Sequence, residues 1–335
     1  MSKTRDLLYH LGGVPVGLPY SWLKGPKGKV LFVAPFRTAA STSNGSTNAS
    51  DSNPGTLAYP MKTIAAAYAQ LTSGLGNIIY LLGFSNSAAD ITDDWSAKLT
   101  WSKNSTHLIG LGPGQAVSHR AGRIGQLSTA TGVSPLLDVT GHNNLFANFQ
   151  IFQGVADATS LINVRVTGQR NVFNNLHIAG VGDATMSAAG AACLSLDGGS
   201  ENVFNDCVIG LDTVNWDADP VNLLCDGGAS RNLFNRCHFQ AYITAAGFVH
   251  VKIADGTGID RWLRFHDCLF HTDSVNQGVT QTAVMDIPAG IVQGKVILTG
   301  QTAYLTDGAT GAGDWGTDRG LVWANMPAAA AEQIL

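Results

Sequence analysis

From residue 144 to residue 270 apolar and polar residues alternate in short runs, and one run is written five times. It reads Asn144-Leu145-Phe146-Ala147-Asn148-Phe149-Gln150-Ile151, then Asn171-Val172-Phe173-Asn174-Asn175-Leu176-His177-Ile178. Asn202-Val203-Phe204-Asn205-Asp206-Cys207-Val208-Ile209 and Asn232-Leu233-Phe234-Asn235-Arg236-Cys237-His238-Phe239 follow, with a degenerate fifth copy at Leu263 to Phe270. The phenylalanines step by 27, 31, 30 and 31 residues, a period that belongs to stacked supersecondary units. Alternation within each copy (Phe204, Asp206 and Val208 against Val203, Asn205, Cys207 and Ile209) predicts a strand, and no helical period lies between copies. One strand and its turns per 30 or so residues describe an all-β chain that winds as a parallel β-helix.

A second ladder keeps the same phase. Leu136 to Val139, Ile162 to Val166, Leu194 to Leu196, Leu223 to Cys225 and Val249 to Ile253 are short apolar strands. Each runs into Thr140-Gly141, Thr167-Gly168, Asp197-Gly198, Asp226-Gly227 or Asp255-Gly256. Glycine after Asp or Thr supplies the positive φ that ends a strand in a turn.

The flanks differ. Residues 1–55 are expected to be an extended N-terminal arm: Leu11 to Pro19 is apolar but broken by Gly and Pro, Lys29 to Phe36 reads as a strand, and Ala39 to Pro54 as a Ser/Thr/Asn loop. So apolar an arm needs burial, on its own coil or on a neighbouring subunit. Residues 61–71 predict an amphipathic helix, with Ile64, Ala67, Tyr68 and Leu71 on one face, placed to cover the open end of the coil. The β-helix is expected over 56–305. Residues 306–335 follow as loop and tail, with Leu321-Val322-Trp323 as a candidate last strand.

Ser52-Asn53-Pro54-Gly55-Thr56, Tyr59 to Ile64 and Asn77 to Gly83 together resemble the opening of pectate-lyase-like β-helix proteins. Leu99 to Gly112 resembles the first complete rung of such proteins encoded by tailed bacteriophages. The resemblance spans roughly residues 50 to 300. It implies a right-handed coil, a virion protein made in the host cytoplasm, and side-by-side association as a homotrimer.

Composition narrows the chemistry. Charged residues are 13% of the chain, glycines number 39, and the net charge is −4. No basic footprint for nucleic acid exists, and no run of 18 apolar residues could cross a membrane. The N-terminus lacks a secretory apolar region. Cys207, Cys237 and Cys268 recur at one place in successive copies and predict an inward ladder of free thiols. The odd total of five with Cys193 and Cys225 fits a reducing compartment.

Enzymes of this architecture need clustered carboxylates with a base, or a carboxylate pair. Asp197, Asp226 and Asp255 form the best acidic column, but Thr140 and Thr167 replace them in earlier rungs, as turn capping predicts. Glu201 with Asp206, and Asp217 with Asp219, are acidic clusters with no repeated or paired basic partner in the sequence. His142 sits in a turn; His177 and His238 share a strand position expected to be exposed. Asn148, Asn175 and Asp206 predict a ladder of side-chain bonds along the coil. These readings assign no catalytic, cofactor-binding or metal residue and no cofactor. They lead to a non-enzymatic structural protein of a phage particle, a capsid-associated decoration or minor capsid protein held to other virion proteins by its arm. The alternative is a tailspike or adhesin that binds or cleaves host polysaccharide.

Overall fold

A computed structural model describes residues 24–35, 49–83, 93–112, 122–273, 294–306 and 321–323, with short stretches between 279 and 288. Its strands form three parallel sheets. Sheet A has ten strands, sheet B eight and sheet C seven. One rung illustrates the path: Leu137–Val139 lies in sheet C, Leu145–Ala147 in sheet A and Gln150–Phe152 in sheet B. The chain then returns to sheet C at Ile162–Val166. Each strand pairs with the equivalent strand one rung on, as Phe173 does with both Phe146 and Phe204. The molecule is therefore a parallel β-solenoid, and its interior is built of columns.

The repeated phrase is not one strand but two. Sheet A passes into sheet B through a single residue with positive φ: Asn148 (62°), Asn175 (52°), Asp206 (53°), Arg236 (50°) and Asp267 (52°). This left-handed corner shifts the alternation by one. Phe204 points inward before it, and Cys207 and Ile209 point inward after it, although simple alternation sets Phe204 apart from both. A second left-handed corner joins sheet C to sheet A at Asn143, Arg170, Glu201 and Arg231.

Inside, Phe146, Phe173, Phe204, Phe234 and Phe265 stack in one column with ring centroids 4.5–5.1 Å apart. All five are fully buried. Cys207, Cys237 and Cys268 form the predicted ladder, buried and free, each thiol donating to the carbonyl of Phe173, Phe204 or Phe234 at 3.4–3.5 Å. A third column is polar. Asn144, Asn171, Asn202 and Asn232 lie buried at the corner between sheets C and A. Asn144 Oδ1 accepts from the Thr106 N–H, Asn171 Oδ1 from Asn144, Asn202 Oδ1 from Asn171, and Asn232 Oδ1 from Asn202, at 2.8–3.0 Å. The amides of the last three donate to the carbonyls of Gly141, Gly168 and Gly199. Backbone groups at a sharp corner have no ladder partner, so these side chains satisfy them.

The N-terminal end is covered by a short helix, α1 (Ile64–Ala69), N-capped by Thr63, whose hydroxyl accepts from the Ala66 N–H. Ile64, Ala67 and Tyr68 join the interior cluster, and Tyr68 packs on Trp101 with centroids 4.3 Å apart. The strand Val30–Val33, placed by its sequence in the arm, pairs with Asn77–Leu82 and opens sheet A. Leu321–Trp323, placed in the tail, extends the other end of that sheet. Leu11 to Pro19, most of the loop from Ala39, and Ala328 to Leu335 lie outside the described residues.

The outside of sheet A is unusual at this end. Phe32, Ala34, Ile78, Tyr80, Leu82, Ile109, Leu145 and Ala147 form a second apolar cluster, separate from the interior. They alternate with the inward Leu31, Val33, Ile79, Leu81 and Leu108.

Candidate functional site

The outer face of sheet C carries one column of side chains along the coil axis. Strand pairing places Thr100 beside Asp138, Asp138 beside Arg165, and Arg165 beside Ser195; Leu224, Lys252 and Asp286 continue the column. Alternation explains the placement, since Val139 and Val166 next in sequence turn into the core. Arg165 and Asp138 make a two-pronged pair, Nε to Oδ1 at 3.0 Å and Nη2 to Oδ2 at 2.8 Å. The Asp138 side chain is only 4% exposed, Arg165 31%. The remaining edge of the guanidinium, Nη1, lies 3.9 Å from Oδ2 of Asp197, whose side chain is 44% exposed. Lys98 Nζ approaches Asp138 from the preceding rung at 3.6 Å. The hydrogen bonds that Arg165 donates to Asp138 raise the pKa of Arg165 above its ordinary value.

The arrangement has a buried anchor and an accessible pair. Asp138 fixes the plane of the guanidinium. The outward edge of Arg165 can donate to a carboxylate or hydroxyl, and Asp197 beside it can accept a proton or a hydroxyl hydrogen bond. Along this column Thr100, Lys252 and Asp286 are exposed, Arg165 and Leu224 half-buried, and Asp138 and Ser195 buried. Among the described residues no group of three or more His, Cys, Asp or Glu could hold a metal ion.

The acidic column divides. Asp226 and Asp255 cap their own turns: Asp226 Oδ1 accepts from the Gly227 N–H at 2.7 Å, and Asp255 Oδ1 takes both the Thr257 N–H and hydroxyl at 2.7 Å. Asp197, paired in register with Asp226, instead faces Arg165. Glu201 and Asp206 do have basic partners, contrary to expectation. Arg170 Nε and Arg231 Nη2 each lie 2.6 Å from Glu201, and Arg236 clasps Asp206 with two bonds of 2.8 Å. These partners stand one rung away, about 30 residues off in sequence, where only the winding brings them together. The Arg170 bond holds Glu201 below the usual carboxylate range.

The histidines divide too. His142 is a turn residue whose Nδ1 accepts from the Gln169 N–H. His177, expected to be exposed, is fully buried; its ring lies between the Gln150 amide at 3.1 Å and the Gly210 carbonyl at 3.0 Å. His238 is half-buried and stacks on His271. His250, which the sequence did not single out, lies inside the coil between the Asn222 amide (2.9 Å) and the Thr272 hydroxyl (2.8 Å). Burial chiefly, with His238 and His271 nearby, lowers its pKa to about 3. Of the expected amide ladder, Asn175 donates to Asn148 at 3.0 Å.

No family model and no curated protein matches the sequence. Solved structures share the fold. A rhamnogalacturonan lyase superposes with a TM-score of 0.51 at 14% identity, over 81% of this chain and 67% of that one. A pectin methylesterase gives 0.48 at 15% identity, over 86% and 92%. A Geobacillus virus E2 protein, ORF18, gives 0.39 at 11% identity, over 73% and 58%. At 14% identity the likeness to the rhamnogalacturonan lyase shows a shared architecture, the parallel β-helix. It overturns one expectation. The chain was expected not to be an enzyme, because its acidic column exchanges with Thr at turns and no convincing carboxylate pair stood out. Its structural neighbours include a rhamnogalacturonan lyase, and although Asp226 and Asp255 do cap turns, the winding sets Arg165 between Asp138 and Asp197, a grouping that expectation did not count.

Proposed function

We propose that this protein engages a polysaccharide laid along the outer face of sheet C, and that it does so as part of a phage particle. The carrying observation is the convergence of a buried carboxylate, a half-exposed guanidinium and an exposed carboxylate from three rungs on one outer face. Extended sugars offer hydroxyls and ring-borne carboxylates at short intervals, which such a column can bind repeatedly. The winding is taken as right-handed, the hand that parallel crossover connections adopt. The resemblance of residues 99–112 to the first complete rung of phage-encoded β-helix proteins supports the setting on a virion, with assembly as a homotrimer.

The test is titration of the purified protein against acidic and neutral bacterial polysaccharides, read by calorimetry, with chain length followed by size exclusion. Asp197→Asn and Arg165→Lys are the informative variants, because both keep Asp138 company. Weaker binding of one polysaccharide class in both variants is expected. Parent-like binding by both, or no binding of any polymer, overturns the reading; shortening of the polymer identifies turnover. Mass spectrometry of purified particles tests the virion setting separately.

A further inference from the structure

At the corner before the first strands of sheet A lies a cavity of about 420 Å³. One wall is a tight turn, Gly25-Pro26-Lys27-Gly28, closed by the Gly28 N–H on the Gly25 carbonyl at 2.9 Å and shaped by proline at its second place. The turn is fastened to the neighbouring strand end. The Gly25 N–H donates to the Gly76 carbonyl at 3.1 Å, and the Lys29 N–H to Asn77 Oδ1 at 2.9 Å. A Cβ at Gly25 or Gly28 would run into the carbonyls of Leu75 and Gly76, so only glycine lets the two segments meet so closely. Ser105 and His107 line the cavity from the next rung. Ser105 sits at the left-handed corner that Asn143 holds one rung later, with φ 48°. Its N–H donates to the His142 carbonyl and its carbonyl accepts from the Asn77 N–H. His107 stands beside Ile78 of the outer apolar cluster and is only 6% exposed.

Three unspent donors line this cavity. His107 Nδ1 accepts from the Leu145 N–H at 3.0 Å, so the neutral ring carries its proton on Nε2. Burial lowers the pKa of the ring to about 4, which keeps it neutral at pH 7. Its Nε2–H, the Ser105 hydroxyl and the Lys27 ammonium have no partner among the described residues, and no acidic residue lines the cavity. An unpaired buried donor costs stability, and a carboxylate would satisfy all three. We propose that this cavity binds a small monocarboxylate with a body the size of one sugar ring, such as a hexuronate. One ammonium balances one negative charge, while the imidazole N–H and the hydroxyl complete the bonds a carboxylate accepts. Pro26 and Leu75 give the body of the ligand an apolar wall. The volume falls within the range of about 300–1,000 Å³ that small-molecule sites occupy. The site shares no residue with the Arg165 column on sheet C.

The test uses the full chain labelled with 15N-histidine, with D-glucuronate as the probe and glucose and inorganic phosphate beside it. The His107 ring signals, identified by their loss in His107→Gln, report on this cavity and not on sheet C. Glucuronate is expected to move them saturably, and glucose to leave them in place. Lys27→Met should weaken glucuronate binding about tenfold, as loss of a charge-assisted partner predicts. Ser105→Gly should weaken it by roughly a few-fold; glycine suits the left-handed corner, so the fold is kept. Ring signals that ignore glucuronate overturn the proposal. So do equal affinities in the parent and both variants, or a response to glucose as strong as that to glucuronate. Tighter binding of phosphate than of glucuronate overturns the assignment to a carboxylate.

Discussion

Asn202 offers the sharpest test of how the coil is held. It is fully buried, and its side chain serves three neighbours. Oδ1 accepts from the Asn171 N–H at 2.9 Å, and Nδ2 donates to the Gly168 carbonyl at 3.1 Å and to Asn232 Oδ1 at 3.2 Å. Replacement by Ala leaves the buried Asn171 N–H without an acceptor, a loss of about 1–3 kcal/mol, and deprives Gly168 of a donor for roughly 1 more. The expected cost is about 2–4 kcal/mol. Asn202→Asp should cost more, because the carboxylate keeps one bond but faces the Gly168 carbonyl and Asn232 Oδ1 across a dry corner. Asn205→Ala is the control. Asn205 stands three residues on and points outward, half-buried, accepting from Asn235 at 2.9 Å. Water can replace that bond, so the loss should stay under about 1 kcal/mol. Guanidinium unfolding followed by circular dichroism, with midpoints compared at a shared slope, gives the ranking. Equal midpoints for Asn202→Ala and Asn205→Ala, or a parent-like Asn202→Asp, would refute the assignment of corner stability to this ladder.

The other predictions concern the core. Phe204→Ala removes a ring stacked at 4.5 Å on both Phe173 and Phe234, and should cost about 3–5 kcal/mol by leaving a cavity, read by the same denaturation. Cys237→Ser should cost only about 1–3 kcal/mol, at the lower end because the hydroxyl inherits the Phe204 carbonyl that the thiol meets at 3.4 Å; a loss as large as that of Phe204→Ala would count against the ladder as small filler. His250 and His107 are held neutral, with pKa values lowered from 6.5 to about 3 and about 4. Their contribution is therefore complete above pH 6.5 and shrinks as pH falls toward 4, by about 1.4 kcal/mol per unit for each ring, since the unfolded chain takes up protons that the fold refuses. The slope of stability against pH in that window should lessen in His250→Gln, and an unchanged slope would show that the ring titrates freely.

The winding was readable because its signal is repetition: five phenylalanines at near-constant steps fix a rung length, and Thr or Asp before Gly marks one corner. The other corner was hidden. A single left-handed residue at Asn175 or Asp206 leaves the run of alternating letters looking like one strand. Only φ reveals that Val203–Asn205 and Val208–Trp216 belong to different sheets. The same limit concealed the site. Arg165 is 27 residues from Asp138 and 32 from Asp197, and within its own strand it is, with Asn163, one of two polar residues among aliphatic ones. Its meaning comes from rungs above and below. His177 misled for a related reason, since a strand position expected to face water is here roofed and bonded. The asparagine column at 144, 171, 202 and 232 stood first in four of the five copies. It could have been singled out by asking where the backbone groups of a corner find partners.

The column register also sets how the molecule can change size. In the phenylalanine column each inner ring stacks on its like one rung up and one rung down, so that ladder does not record how many rungs there are. The ten strands of sheet A span about 43 Å at ~4.8 Å per step, and one more block of the same letters would lengthen the rod by one step without disturbing the rest. Length here is a dial rather than a constant: copying or dropping a segment such as 171–201 moves the far end of the rod relative to the near one while every surviving surface keeps its shape. A lineage carrying this coil could thus adjust its reach in fixed increments, independently of what either end has come to recognise.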